Sequence, residues 1–233
     1  MRLVRLVLII TILLGLALSA SAQNPPAGGG RGQRGGAPAA APGAPAAAQG
    51  GRGGGQRGAM TTMTLITTAW PDGGQIPIMY TQAGNETSPA IQWSGAPAGT
   101  LSYTIIFRDL DAPTGDGLSD IMHWLVWNIP GTATQLAQGR PDGFTLPDGA
   151  KQISVSGSRY RGPGAPAAGP MHHYLLEIYA LDTMLPVEPS PQAPPGTPGA
   201  VAPGPATRAA VFAAMAGHIR GKGTYFGLFH RPQ

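Results

Sequence analysis

Four side chains able to bind ligands or transfer protons lie at the ends of apolar stretches of the sequence. Asp109 and Asp111 follow an alternating stretch, 101–108, and His123 and His172 each open another apolar stretch. If these stretches pair as antiparallel strands, the end of one lies beside the start of the next. The carboxylates and imidazoles then meet at one rim of a sheet, which is the predicted site.

Two carboxylates and two imidazoles at one rim fit three kinds of chemistry. The imidazoles and the backbone N–H groups of the turn 162–164 could bind an anion such as phosphate. The same side chains could instead ligate a divalent metal ion. Third, Asp109 could be a nucleophile that attacks phosphorus, as in haloacid-dehalogenase-type phosphatases. That chemistry is disfavoured because the spacing between the aspartates and Thr114 is one residue longer than in the motif of those enzymes, and the doubly wound sheet of their fold is missing.

The elements that position these side chains are predicted to be strands, with one short helix. The helix runs over 208–216, with Thr207 as its N-cap and Gly217 after its end. Trp124 and Trp127 lie on opposite faces of their strand, which indicates a sheet buried on both sides. Strands and helices do not alternate, so the domain is mainly β rather than a parallel α/β fold. The predicted strands are 63–68, 75–80, 90–93, 101–108, 123–129, 152–156, 172–181 and 224–229.

The first 22 residues are predicted to be a secretory signal peptide. Arg2 and Arg5 precede an apolar run, 6–18, and Ala20-Ser21-Ala22 forms the cleavage site. The run is shorter than the ~20 apolar residues that a membrane helix needs. We therefore expect a periplasmic or extracellular protein with no stable membrane span after cleavage, and an uncleaved anchor is the alternative.

A low-complexity segment rich in Gly, Ala, Pro and Arg, 23–59, is predicted to be a disordered linker before a single domain, 60–233. The domain carries nine Lys/Arg and eleven Asp/Glu, a net charge of −2, so the basic character of the chain belongs to its first 59 residues. Nucleic-acid binding is not predicted, because the Arg-Gly clusters of the linker lack interleaved aromatic residues. The chain has no cysteine, so no disulfide holds the domain.

Several short motifs, in order and at characteristic spacing, resemble the phosphatidylethanolamine-binding protein family, specifically its bacterial Raf-kinase-inhibitor-like branch. The resemblance covers nearly all of 60–233. The motifs are Ser88-Pro89, Trp93, Ala98-Gly99-Thr100, Asp109-Leu110-Asp111-Ala112-Pro113, His123-Trp124-Leu125-Val126-Trp127-Asn128-Ile129-Pro130, Tyr160-Arg161-Gly162-Pro163, His172-His173-Tyr174 and Ala180-Leu181-Asp182.

The resemblance implies a central antiparallel β-sheet, a second smaller sheet and a few peripheral helices. It also implies a small surface cavity that accepts phosphate, phosphoethanolamine or a similar anion, with no metal and no cofactor. His123, His172 and the backbone around Gly164 would donate to the anion. Two departures from the family pattern are Leu110, where Pro is common, and His173, where Arg is common. Carried over by motif, the lining residues are Asp109, Asp111, Pro113, His123, Gly162, Gly164, His172 and Tyr174.

The sequence leaves three functions open. An anion-binding protein is favoured, because no serine has the context of a nucleophile elbow and no catalytic triad is visible. A metal-assisted or acid–base phosphoester hydrolase would use the same four side chains. An envelope protein-interaction module with a vestigial pocket would instead use the segments 23–59 and 186–206 to contact an unidentified protein partner. The oligomeric state is not predicted.

Overall fold

The computed structural model describes residues 60–112, 117–190 and 203–233, and within them the chain is mainly β, as predicted. One helix, α1, spans Pro203–Met215, and Ile78–Tyr80 form a single 3-10 turn. The strands are β1 Thr61–Thr62, β2 Thr64–Ile66, β3 Gly74–Gln75, β4 Ile91–Ser94, β5 Ser102–Asp109, β6 Ile121–Pro130, β7 Gln135–Leu136, β8 Lys151–Ile153, β9 His172–Leu181 and β10 Ile219–Phe229.

The main sheet has seven strands in the order β1-β10-β9-β5-β6-β8, with β3 also pairing β10. Its four long strands are antiparallel to one another, and β1 and β3 pair with β10 in parallel, so the sheet is mixed. A smaller sheet has the order β2-β4-β7. The predicted antiparallel pairing of β5 with β6 is present, and it places Asp109 opposite Ile121. On its other side β5 pairs with β9, which places Asp109 opposite Tyr174.

Both faces of the main sheet are buried, as the two tryptophans of β6 predict. Trp124 belongs to a large apolar cluster that includes residues of the smaller sheet. Trp127 belongs to a second cluster that includes Val211 and Met215 of α1. Both indole side chains are fully buried. Because each face has its own core, the central strands read as nearly continuous apolar runs rather than as strict apolar–polar alternation.

Strand β6 contains two extra residues relative to β5. Between the pairs Phe107–Trp124 and Arg108–Met122 the register advances by one residue on β5 and by two on β6. His123 is the additional residue there, so it occupies a β-bulge. A second irregularity lies near Asn128, which has φ 57°.

The structure corrects three predicted elements, and the first of these is the last strand, β10, which begins at Ile219 rather than at 224. Of the predicted strand 75–80 only Gln75 lies in a ladder, as the second residue of β3, and Ile78–Tyr80 form a 3-10 helix. Helix α1 begins at Pro203 rather than after Thr207, because Pro is well tolerated in the first turn of a helix. Thr207 lies inside the helix, and its buried hydroxyl accepts a hydrogen bond from the Ser190 N–H at 2.8 Å.

Some predictions lie outside the described residues: the signal peptide, 1–22; the linker, 23–59; and the lining residue Pro113. Most of the Pro/Gly-rich segment 186–206 lies outside them as well. In the ranges that are described, no helix combines the length and apolar character needed to cross a membrane.

Candidate functional site

Asp109 ends β5, and its carboxylate is 2% exposed. Its Oδ1 accepts hydrogen bonds from the backbone N–H groups of Asp111 at 3.0 Å and Ala112 at 3.2 Å. Both of its oxygens also lie within hydrogen-bond distance of Nδ1 of His172, at 3.1 and 2.9 Å. A buried carboxylate needs such donors, because each unpaired charge in the interior is costly. The turn after β5 and the start of β9 supply them.

Tyr174 lies close to the same carboxylate. Its ring is fully buried, and its hydroxyl accepts the N–H groups of Gly164 at 3.3 Å and Ala165 at 3.2 Å. Burial first, and then the charge of Asp109, raise the pKa of Tyr174 well above its ordinary value. The hydroxyl therefore keeps its proton at neutral pH, close to the Asp109 carboxylate.

His123 reaches the same place because of the β-bulge. Its ring contacts Tyr174, with centroids 5.3 Å apart, and Phe107, with centroids 6.1 Å apart, and both of these residues belong to the large cluster. Strict alternation would place His123 on the face opposite Trp124, which belongs to that same cluster. The bulge therefore turns the imidazole onto the side of the sheet where Tyr174 lies.

The imidazole of His123 is held by the loop that precedes β9. Its Nδ1 lies 3.0 Å from the carbonyl oxygen of Arg161, and the N–H of Arg161 donates to the carbonyl of His123 at 3.0 Å. Burial lowers the pKa of His123, and the nearby carbonyl and the charge of Asp109 only partly oppose this effect. The folded protein therefore favours the neutral imidazole at neutral pH.

A cavity of about 280 Å³ lies at this rim. Four of the sequence-predicted residues line it, and so do Gln82 and Arg161, which sequence reasoning did not assign to the site. The residues that give the cavity its polar character are Gln82, Asp109, His123, Ser156, Arg161, Gly164 and His172. Only Asp109 and Arg161 among these carry a fixed charge, so with neutral imidazoles the formal charge of the lining is zero. Carboxylates and imidazoles do converge here, as the strand pairing predicts.

The two glycines of the predicted turn are fixed by packing against the segment 78–86. A Cβ on Gly162 would lie 2.5 Å from the carbonyl oxygen of Tyr80, and one on Gly164 would lie 2.3 Å from Nε2 of Gln82. The N–H of Gly162 donates to the Glu86 carboxylate at 3.3 Å. Both amides thus have protein partners here, and the N–H of Gly164 would have to leave Tyr174 to donate to an anion.

Asp111 lies at the same rim but outside the cavity lining. Its carboxylate accepts the N–H of His173 at 2.5 Å and lies 2.9 Å from Nδ1 of His173. These contacts, led by the backbone hydrogen bond, lower the pKa of Asp111. Both side chains are largely exposed. The two histidines of β9 therefore pair with different aspartates: His172 with Asp109 in the interior, and His173 with Asp111 at the surface.

A larger cavity of about 600 Å³ lies between α1 and the start of β6. Its charged side chains are ion-paired with one another: Asp120 lies 2.6 Å from Arg108 and also contacts Arg208. In the described ranges, no group of three or more His, Asp or Glu side chains is arranged to hold a metal ion. The rim cavity therefore remains the candidate site, and its donors and acceptors suit a small polar ligand.

Comparison with known proteins shows to which family this architecture belongs. The family model described as phosphatidylethanolamine-binding protein matches residues 66–230. A UPF0098 protein of Methanothermobacter thermautotrophicus is 37% identical over 171 residues, which cover 72% of this chain and 99% of that protein. The UPF0098 protein YbcL of Escherichia coli is 43% identical over 104 residues, 43% of this chain and 55% of that protein.

Solved structures agree with the sequence match. The crystal structure of E. coli YbcL, described as a new member of the mammalian PEBP family, superimposes with a TM-score of 0.58 and 25% identity. The alignment covers 72% of this chain and 98% of that one. The main sheet and the smaller three-stranded sheet correspond to that fold. The chain belongs to the phosphatidylethanolamine-binding protein family.

Proposed function

We propose that the rim cavity binds a small phosphate-type anion and that the protein is a binding protein rather than an enzyme. One observation carries the proposal: two imidazoles, His123 and His172, line one cavity and are both anchored through Nδ1. Their Nε2 atoms are left for a ligand, since no described residue hydrogen-bonds to either of them. Two ring nitrogens in one small cavity can form hydrogen bonds to two oxygens of one oxyanion.

The arginine of the cavity supports the same proposal. Arg161 lines it with a permanent positive charge and is held in place by Gln82, at 2.7 Å, and by Glu86, at 3.2 Å. A guanidinium is well suited to oxyanions because its N–H groups match two oxygens at once. The name of the family, which refers to a lipid with a phosphoethanolamine head group, points to the same ligand chemistry.

The test is a titration of the purified protein with inorganic phosphate and with O-phosphorylethanolamine, followed by the NMR signals of the histidine side chains. We expect saturable shifts at His123 and His172 and none at His218, which lies at the other end of β9 beside Asp182. His123→Ala and His172→Ala variants should each weaken binding by about tenfold or more. A folded protein whose histidine signals do not move would contradict the proposal, and the search would turn to protein partners.

A hydrolase is a second candidate, because one pair in the site has a catalytic geometry. Asp109 is buried, accepts two backbone N–H groups and contacts Nδ1 of His172, which is how a carboxylate orients an imidazole that acts as a general base. Turnover of a chromogenic phosphoester, lost in His172→Ala and unaffected by a chelator, would favour this function over simple binding.

We further propose that the protein acts outside the cytoplasm, since the sequence begins with a predicted secretory signal.

A further inference from the structure

The hydrogen bonds of the site determine which nitrogen of His123 carries a proton. Nδ1 lies 3.0 Å from the carbonyl oxygen of Arg161, and a carbonyl oxygen can only accept a hydrogen bond. Nδ1 must therefore carry the hydrogen whenever the contact is made. In the neutral ring, Nε2 is then a lone-pair acceptor and not a donor. It opposes the approach of any ligand oxygen that carries no proton.

The surroundings of His123 do not favour a second proton on its ring. The ring is 4% exposed and packs against Phe107 and Tyr174, which are uncharged. The charged groups that face it are Asp109 from β5 and the Arg161 guanidinium from the loop before β9, and their effects oppose each other. From β9 the other titratable neighbour is His172, whose Nδ1 faces the Asp109 carboxylate. The nearby backbone carbonyls and the charge of Asp109 only partly offset the cost of burying a second proton on His123.

We infer that the cavity accepts its oxyanion in a protonated form, with a P–OH of the ligand donating to Nε2 of His123. The inference rests on the function proposed above and names the ligand class more closely: phosphate or a phosphate monoester, and not sulfate. A phosphate monoester gains its last proton near neutral pH, with a pKa of about 6. Sulfate has the same size and shape but holds no proton in this pH range, so it leaves Nε2 of His123 without a donor.

The proton balance makes the two ligands respond differently to pH. A phosphate monoanion brings its own proton and enters without a change in the protonation of His123. A dianion must bind together with one proton from solvent, which goes to Nε2 of His123 or to the ligand oxygen beside it. Sulfate binding therefore strengthens by up to about tenfold for each unit that the pH falls, until His123 is protonated.

The experiment is isothermal titration of the purified protein with inorganic phosphate and with sulfate at pH 5, 6 and 7. At pH 6 we expect phosphate to bind at least about tenfold more tightly than sulfate, since sulfate leaves a buried acceptor unpaired. The ratio of the phosphate affinity to the sulfate affinity should be smaller at pH 5. His123→Gln should abolish it, because an amide can rotate to present N–H to either ligand. The matched control His218→Gln should retain it.

The possible outcomes distinguish the inference about the protonated ligand from the anion-binding function on which it rests. Equal binding of phosphate and sulfate at pH 6 would overturn the inference and leave the anion-binding function standing. A preference for phosphate that persists in a folded His123→Gln variant would also overturn the inference, because the selectivity would then arise elsewhere. If neither anion binds between pH 5 and 7, the proposed function fails and the inference fails with it.

Discussion

At the residue scale, the geometry of the site depends most on Asp109. Its carboxylate accepts hydrogen bonds from two backbone N–H groups and from Nδ1 of His172, and its charge acts on the Tyr174 hydroxyl. Two of these neighbours, in turn, fix parts of the cavity: His172 lines it, and the Tyr174 hydroxyl accepts the N–H groups of Gly164 and Ala165. Removing this one carboxylate would disturb several contacts at once.

Replacement of Asp109 should therefore be far more costly than replacement of Asp111. Asp109→Ala leaves buried donors without an acceptor, and we expect the free energy of unfolding to fall by about 3 kcal/mol. Asp111→Ala removes a carboxylate that is 42% exposed, so its effect should stay below about 1 kcal/mol. Urea unfolding of both variants measures the difference. Similar losses in the two would mean that Asp109 does not organise the interior.

The buried imidazole of His123 should make stability depend on pH. Because burial lowers its pKa in the folded protein, the unfolded chain binds the proton more readily. The folded state therefore loses stability as pH falls below about 6.5, the ordinary pKa of histidine, and the loss levels off below the folded pKa. Without bound anion, His123→Gln should thus be less destabilising at pH 5 than at pH 7.5. An equal cost at both pH values, measured by urea unfolding, would contradict this.

Asp109, His123 and His172 could be predicted from sequence because each lies at the boundary of an apolar run. Gln82 and Arg161 could not, since each lies in a segment without periodicity and reaches the cavity only through tertiary contacts. Arg161 did stand inside a recognised motif, Tyr160-Arg161-Gly162-Pro163, which was a usable signal. The pairing of Asp111 with His173 rather than with the cavity depends on side-chain direction, which strand boundaries alone do not determine.

At the scale of elements, the cavity wall is made by two irregular segments that are packed closely together. The 78–86 segment lies so near the loop 162–164 that neither glycine has room for a side chain. Gln82 connects the two, since its Nε2 donates to the Gly162 carbonyl at 2.8 Å and its Oε1 accepts from Arg161 at 2.7 Å. The main role of the two glycines is therefore to allow this close packing.

The close contact at Gly164 should be relieved by shortening Gln82. Gly164→Ala places a methyl group 2.3 Å from the Gln82 amide, and we expect a loss of about 1–3 kcal/mol in the free energy of unfolding. Adding Gln82→Ala should recover part of this loss, which a double-mutant cycle measures. Gly162→Ala is the matched control: its methyl group would meet the main chain of Tyr80, so Gln82→Ala should not help it. Additive effects at 164 and 82 would show that the contact is not the cause.

Among the elements, three long strands, β5, β6 and β9, were predictable, whereas the irregular elements and the first five residues of β10 were not. Strand β9 has the predicted limits, because a ten-residue run bounded by Pro170 and Asp182 leaves little ambiguity. The bulge at His123 has no signature in a run of apolar residues on both sides, so its face could not be assigned. Helix α1 was predicted to begin too late, because the prolines before Thr207 looked like a loop, whereas two of them lie in its first turn.

At the scale of the whole molecule, sequence predicts that the linker, 23–59, contributes no stability. The linker contains no aliphatic residue larger than alanine, so it has little apolar surface to bury. A fragment of residues 60–233 should therefore unfold at the same urea concentration, within experimental error, as a chain that begins at Gln23. A lower midpoint for the fragment would show that the linker packs on the domain.

The order of strands in the main sheet also bears on how the chain is made. The last strand in sequence, β10, lies inside the sheet, between β9 on one side and β1 and β3 on the other. Strands β1 and β3, near the start of the domain, therefore lack their partner until β10 has been synthesised. Pairing at such a distance along the chain is slow to form. The nascent domain consequently cannot complete its main sheet before the ribosome has reached the end of β10, and an incompletely folded chain is the form that the proposed export would require.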